Sequence, residues 1–275
     1  MSKRIRSLTV TGAAAASVFA MAMGASGVAL AESESPNQFS ANVALTTNYM
    51  FRGVSQTNNG PAIQGGFDYE YTPLNLYAGV WASNVDSSAG SSIYVDANNP
   101  NMIVSPDDPN AEEVVLEPAG YDGASMELDL YAGWKPSWQG IDFDLGYLRY
   151  QYPKTNTSEN NTNEWHLGVA YDVMGYFTPS FTAYYSDEWF GTGDAWYYDL
   201  SVDVPLPYDF TLSGHYGWNQ FNDSAGNYED YSVGVSRDFK GFGFELAWVS
   251  RSDEDLCSAP FQCGDTAVFT VSKSF

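Results

Sequence analysis

Cysteine, histidine and basic residues are scarce in this chain of 275 residues. Two cysteines exclude a disulfide-rich scaffold and a cysteine-based zinc site. Eleven Lys and Arg stand against 34 Asp and Glu, and this balance argues against nucleic-acid binding, which requires a basic surface to meet phosphates. The 8 Trp, 20 Tyr and 16 Phe argue against a disordered chain.

Long apolar runs are also lacking after the N-terminus. No later stretch approaches the ~20 apolar residues of a membrane-spanning helix. Among integral membrane proteins only a closed β-barrel therefore remains, because every backbone polar group must be paired within the lipid. A soluble secreted β-protein is the competing class.

The N-terminus has the pattern of a secretory signal. Lys3, Arg4 and Arg6 precede a run dominated by apolar residues from Leu8 to Leu30, and the small residues around Leu30 predict cleavage after Ala31. A short transmembrane anchor is the alternative, disfavoured because glycine and serine interrupt the run. We expect a signal peptide over 1–31 and one barrel domain over 32–275.

Apolar and polar residues alternate many times along the mature sequence. In Met126–Trp134, for example, Met126, Leu128 and Leu130 alternate with Glu127 and Asp129. This period of two predicts strands with two different faces. Twelve such segments occur, over 38–52, 61–71, 74–86, 124–134, 139–152, 163–173, 176–186, 194–205, 209–219, 229–239, 241–251 and 264–275.

The connections between these segments alternate between tight and long. The tight ones are 72–73, 135–138, 173–175, 206–208 and 240, and the long polar ones are 53–60, 87–123, 153–162, 187–193, 220–228 and 252–263. A transmembrane barrel has short periplasmic turns and long extracellular loops. The sequence therefore predicts an all-β, closed antiparallel transmembrane barrel of about twelve strands. The insertion 87–123 is interpreted as a mobile external loop, with a lumenal plug as the alternative.

The alternation also predicts which side chains line the lumen. The pore-lining candidates are Arg52, Asp68, Glu70, Glu127, Asp129, Asp142, Asp144, Glu164, His166, Asp199, His215 and Glu245. An acidic wall concentrates cations and repels anions. A rim of solvated carboxylates without influence on permeation is the alternative. For Arg52, an internal ion pair with a carboxylate such as Asp68 is favoured over an arginine guarding a constriction.

The two histidines, His166 and His215, both fall on the inward face. No ligand set for a metal converges on them, and Ser213 beside His215 on one strand face makes no catalytic triad. We predict no catalysis, no metal and no cofactor. An outer-membrane lipid hydrolase is the less favoured enzyme alternative, and a structural or adhesive barrel is the non-conducting one.

Three further features remain. Cys257 and Cys263 lie in the last external loop, where their spacing suits a disulfide in an oxidising compartment. Arg149 interrupts an apolar row, so either the lipid belt ends there or a bulge reverses the faces. The terminal Phe275 resembles the C-terminal signal of outer-membrane barrels for the barrel-assembly machinery, from which Lys273 departs.

The segments 51–57, 61–69 and 77–85 resemble the N-terminal signature of the TorF family of porin-like proteins. The stretches 127–131 and 271–275 continue the resemblance, which covers essentially the whole mature chain. It implies an outer-membrane barrel of Gram-negative bacteria and, less directly, a channel.

Together these observations predict a porin-like channel in the cell outer membrane. We expect passive diffusion of small hydrophilic solutes, with cations or neutral solutes preferred, and contacts with outer-membrane lipid and lipopolysaccharide.

Overall fold

The computed structural model describes residues 35–86, 91–96, 99–103, 111–116, 124–153, 161–191, 193–221, 227–252 and 263–275. Twelve long strands form one closed antiparallel sheet, which confirms the predicted fold class. The strands are β1 (Asn37–Thr46), β2 (Ala62–Tyr71), β3 (Leu76–Asn84), β4 (Met126–Trp134), β5 (Ile141–Gln151), β6 (Thr162–Tyr171), β7 (Thr178–Ser186), β8 (Ala195–Leu206), β9 (Phe210–Phe221), β10 (Tyr228–Phe239), β11 (Phe242–Arg251) and β12 (Thr266–Ser274).

The barrel closes because its first and last strands pair. Each strand pairs with the next one along the chain, and β12 returns to β1 with Asn42 opposite Ser274 and Thr46 opposite Thr270. Short turns, such as the two residues between β10 and β11, join strands at one end of the barrel. We call this the turn end, and the opposite end, which carries the longer connections, the loop end.

The outer surface of the barrel is apolar. Large side chains such as Phe67 and Trp165 are 69% and 60% exposed, and they alternate with polar neighbours that point inward. Such a band is stable against lipid rather than against water, which is the arrangement of a transmembrane barrel. Among the described residues, no helix has the length and apolar character needed to cross a membrane.

Arg149 marks the limit of this apolar band. The pairing of β5 with β6 runs without interruption from Ile141 opposite Tyr171 to Tyr150 opposite Thr162, so no bulge reverses the faces. Arg149 points outward at the loop end, and its guanidinium donates a hydrogen bond to Asn163 Oδ1 at 2.7 Å. The apolar belt therefore ends at this level.

Two segments differ from simple strand-and-loop expectations. β1 ends at Thr46 rather than near residue 52, because the chain turns back into a short hairpin in which Met50–Phe51 pairs with Val54–Ser55.

Within the insertion 87–123, the backbone of Ser91–Asp96 pairs with Asn99–Ile103 and with Ala111–Leu116 in a separate three-stranded sheet. The rest of that insertion, except the strands just given, lies outside the described residues, as does the predicted signal segment 1–31.

Candidate functional site

The sequence-selected residues lie at two levels inside the barrel, the loop end and the part nearer the turn end. All the strand-borne candidates fall on the inward parity of their strands, and they differ in depth. At the loop end Glu127, Asp129 and Glu164 are almost fully buried, and Asp199 and His215 are buried beside them. Nearer the turn end the carboxylates are more accessible. These are Asp68, Glu70, Asp142, Asp144 and Glu245.

A segment of the first long connection folds into the loop end. We call residues 48–57 the inserted hairpin. At its tip Arg52 and Gly53 both have positive φ angles, 47° and 74°, which reverse the chain tightly. The hairpin is internally braced, since Asn48 Oδ1 accepts hydrogen bonds from Ser55 Oγ at 2.7 Å and from Thr57 Oγ1 at 3.2 Å.

The inserted hairpin crosses the lumen. On one side Gly53 packs against β10 and β11 so closely that an added Cβ would lie 2.9 Å from Asp230 Cβ and 3.2 Å from Arg251 Cβ. On another side the Tyr49 hydroxyl donates to Glu127 Oε1 of β4 at 2.9 Å. Burial, followed by the negative charges of Glu127 and Asp129, raises the pKa of Tyr49 well above its ordinary value, which keeps it a donor.

Arg52 is the centre of the contacts that the hairpin makes with the barrel wall. Its Nη2 lies 2.8 and 2.9 Å from the two carboxylate oxygens of Glu164 on β6, and the Tyr150 hydroxyl donates to the same carboxylate at 2.8 Å. Burial disfavours the charged guanidinium, but the Glu164 carboxylate outweighs this and raises the pKa of Arg52 above its usual value. The guanidinium is therefore charged, and both side chains of the pair are buried.

The sequence analysis gave Asp68 as an example of a carboxylate that could pair with Arg52, whereas the structure pairs Arg52 with Glu164. Asp68 lies nearer the turn end and accepts a hydrogen bond of 2.5 Å from the Tyr131 hydroxyl. The expectation of an internal ion pair is thus met by Glu164 and not by Asp68. Arg52 also sits in the inserted hairpin, so this ion pair ties the hairpin to β6.

His215 is held between two carboxylates. Its Nε2 lies 2.8 Å from Asp230 Oδ2 and its Nδ1 lies 3.1 Å from Asp199 Oδ2. This arrangement requires a proton on both ring nitrogens, so the ring is a cation and cannot take a proton from a serine. Ser213 donates instead to the carbonyl of Gly234 at 3.3 Å.

Asp230 was missed among the sequence candidates. It is 1% exposed and faces the lumen between the outward residues Glu229 and Tyr231. The alternation of Tyr231, Val233 and Val235 along β10 carries the signal that would have placed it inside.

Replacing His215 by alanine tests whether this ring is a cation shared by Asp199 and Asp230. We expect the free energy of unfolding to fall by about 2–3 kcal/mol, because two buried carboxyls would lose their shared cation, although a proton can neutralise one of them. Urea unfolding of the refolded barrel in detergent measures the loss. Ser213→Ala, on the same strand face, is the control, with an expected loss of about 1 kcal/mol. Equal losses for the two variants would contradict the role of His215 as the shared cation of the two carboxylates.

The turn end of the lumen carries a second polar network. The Tyr77 hydroxyl donates to Asp144 Oδ1 at 2.8 Å, and His166 Nε2 lies 3.3 Å from the same oxygen. Lys135, a turn residue outside the candidate set, brings its ammonium to 3.7 Å from Asp144 and to 4.4 Å from the centre of the Tyr77 ring. Partial burial lowers the pKa of Lys135, and the charge of Asp144 offsets only part of this effect.

Two sequence expectations concern cysteine and metal. Cys263 is disulfide-bonded, and Cys257, the other cysteine of the chain, lies outside the described residues. In the part of the chain that the structure describes, no group of three or more His, Cys, Asp or Glu side chains is placed to hold a metal ion.

The fold is shared with solved outer-membrane porins. The structure is similar to the KdgM porin, with a TM-score of 0.50 and 8% identity over 86% of this chain and 98% of that one. It is similar to the NanC porin, with a TM-score of 0.51 and 6% identity over 86% and 99% of the two chains. At these identities the likeness shows the fold alone.

Sequence comparisons give the family. No curated protein matches the chain. The structural likeness confirms a porin-like barrel and does not identify the TorF family in particular. The model of the family described as "Bacterial protein of unknown function (Gcw_chp)" matches residues 30–275, and the chain therefore belongs to the Gcw_chp family.

Proposed function

We propose that the protein is an outer-membrane channel for passive diffusion of small hydrophilic solutes, with cations preferred over anions. The observation that carries this proposal is the distribution of side chains, which are apolar on the outer surface of the barrel and rich in carboxylates on the inner surface. An acidic interior with low-dielectric walls concentrates cations. The resemblance of segments between residues 51 and 85 to the TorF family of porin-like proteins supports the same role.

The accessible carboxylates lie at and near the turn end. Glu70 and Asp142 are exposed there. Asp68 and Asp144, two residues further from the turn end on the same strands, are half-buried. Asp142 accepts a hydrogen bond from Ser137 Oγ, and Asp144 has Lys135 beside it. We infer that this end sets the charge preference of the channel, whereas the buried carboxylates of the loop end serve the cross-lumen contacts.

The inserted hairpin is the constriction in this proposal. It occupies the loop end with buried side chains, among them Tyr49, Arg52 and Ser55. The sequence predicted an external loop for the insertion 87–123, with a lumenal plug as the alternative, and the inserted hairpin is a separate segment of the first long connection.

A non-conducting structural barrel is the second candidate. It is favoured by the contacts of the inserted hairpin, which link β4, β6 and β10 across the interior. A lipid hydrolase is not proposed, because both ring nitrogens of His215 face carboxylates.

The proposed setting follows from both ends of the chain and from the outer surface. Residues 1–31 would direct export and be removed after Ala31. Lipid and lipopolysaccharide would cover the apolar exterior, and Phe275, which is 70% exposed beyond β12, would engage the barrel-assembly machinery. Lys273 lies 4.5 Å from the centre of the Phe242 ring and 5.6 Å from that of Phe275, so it adds a cation to an interfacial aromatic patch.

Reversal potentials in a planar bilayer under a KCl gradient test the function. We expect discrete openings that favour K⁺, and we expect Glu70→Lys to shift the reversal potential towards chloride. Glu229→Lys is the matched control, because Glu229 is exposed at the loop end and belongs to the outward parity of β10. A folded barrel without openings would reject the channel, and equal shifts for both variants would reject the role of the lumenal carboxylate.

A further inference from the structure

The guanidinium of Arg52 occupies a cage of aromatic rings. Its Cζ lies 4.0 Å from the centre of the Tyr197 ring, 4.7 Å from Trp189, 4.9 Å from Phe51 and 5.2 Å from Tyr184. The Glu164 carboxylate closes the cage. Aromatic faces and a dry carboxylate are the surroundings that bind organic cations in proteins.

Most of this cage belongs to the barrel wall, whereas its occupant belongs to a loop. Glu164, Tyr184 and Tyr197 lie on the adjacent strands β6, β7 and β8, and Trp189 lies between the latter two. Two of these side chains are held without Arg52. The Tyr197 hydroxyl lies 3.2 Å from His215 Nε2, and Glu164 accepts the Tyr150 hydroxyl. Withdrawal of the hairpin would therefore leave a formed anionic cage facing the lumen.

We propose that this cage is a binding site for solutes that carry a guanidinium group, and that Arg52 is its tethered occupant. This inference deepens the proposed channel function and rests on it. The planar, delocalised guanidinium stacks on rings and pairs with a carboxylate, which a compact ammonium does less well. The carboxylates at the turn end would raise the concentration of such a cation inside the lumen.

Displacement is possible because the cage holds the tip of the hairpin through charged contacts that a free cation can replace. The other ties to the wall are made by uncharged side chains of the hairpin, and they include the packing of the Tyr49 ring on Trp81, with 5.5 Å between the ring centres. Tyr49 donates to Glu127, and Met50 packs with Val249 and Val268. Binding of a solute in the cage would thus release the tip and widen the constriction in the same step.

Binding of methylguanidinium to the refolded, full-length mature barrel tests the proposal. Isothermal titration is compared for the wild type, Arg52→Ala and the double variant Arg52→Ala, Glu164→Gln. We expect Arg52→Ala to bind at least about tenfold more tightly than the wild type, and the double variant to lose that gain. Methylurea, the neutral isostere, should not bind. If Arg52→Ala does not fold, Arg52→Gln, which keeps most of the side-chain volume, replaces it with the same expectation.

Equal affinities in the three proteins, or equal binding of methylurea, would overturn the site. Conductance of the wild type completes the test, since methylguanidinium and not methylurea should increase the current if Arg52 is displaced. No increase would overturn the displacement. Binding by a barrel that never conducts would retain the site and reject the channel, whereas conduction without binding would reject the site alone.

Discussion

Replacing Glu164 by leucine is expected to destabilise the barrel by about 3–5 kcal/mol, because it leaves the Arg52 guanidinium buried without a counter-charge. Arg52 is 2% exposed, and Glu164 is its only carboxylate partner among the described salt bridges. The Tyr150 hydroxyl would lose its acceptor as well. Urea unfolding of the refolded barrel measures the loss, and we expect conductance to rise, since an unpaired guanidinium is more stable in water.

The double variant Arg52→Met, Glu164→Leu is the control for this prediction. Replacing a buried ion pair by apolar side chains of similar volume is often neutral for stability, because the cost of desolvating both charges disappears. We therefore expect the double variant to recover most of the loss while Glu164→Leu alone does not. If the double variant is as unstable as the single one, the cost arises from packing and not from an isolated charge.

The sequence predicted the barrel well because two independent patterns agreed. Alternation in segments such as Met126–Trp134 determines which side chains face lipid, and the alternation of tight and long connections determines the number of hairpins. The end of β1 was the exception. Residues 47–52 still mix apolar and polar side chains, so the pattern predicted that the strand continues past Thr46. In the structure, the positive φ angles of Arg52 and Gly53 turn the chain into the lumen.

The pairing inside the lumen was less predictable. Alternation gives the face of a residue but neither its depth along the barrel nor its angular position. Glu164 is the third residue of β6 from the loop end, while Asp68 is the seventh of β2, so only Glu164 lies at the level of Arg52. Counting from predicted strand ends would have given this depth. The entry of the hairpin itself depends on contacts from many strands, which no local pattern encodes.

Arg149 shows the same limit on a smaller scale. The side chain interrupts an apolar row, and sequence left open whether the lipid belt ends there or the faces reverse. The structure settles it through its neighbour, because Leu148 faces the interior at 1% exposure and keeps the parity of Tyr150. An arginine on the outward face is acceptable at this level because the head group region of a membrane accommodates charge.

Replacing Gly53 by valine is expected to expel the inserted hairpin and raise the single-channel conductance severalfold. Gly53 has a φ of +74°, which costs a β-branched residue about 1–3 kcal/mol. Its Cβ would also lie 2.9 Å from Asp230 Cβ and 3.2 Å from Arg251 Cβ, two side chains carried by β10 and β11. The barrel wall is fixed by its hydrogen bonds, so the hairpin must move instead.

Gly175→Val separates this displacement from backbone strain. Gly175 has a similar φ of +77°, lies in a turn-end connection, and an added Cβ would meet nothing within 4 Å. We expect this variant to carry the same backbone strain, to lose less stability because no contact is broken, and to keep the wild-type conductance. Conductance of both refolded proteins in planar bilayers gives the comparison. If Gly53→Val conducts like Gly175→Val while both barrels are folded, the inserted hairpin is not the constriction.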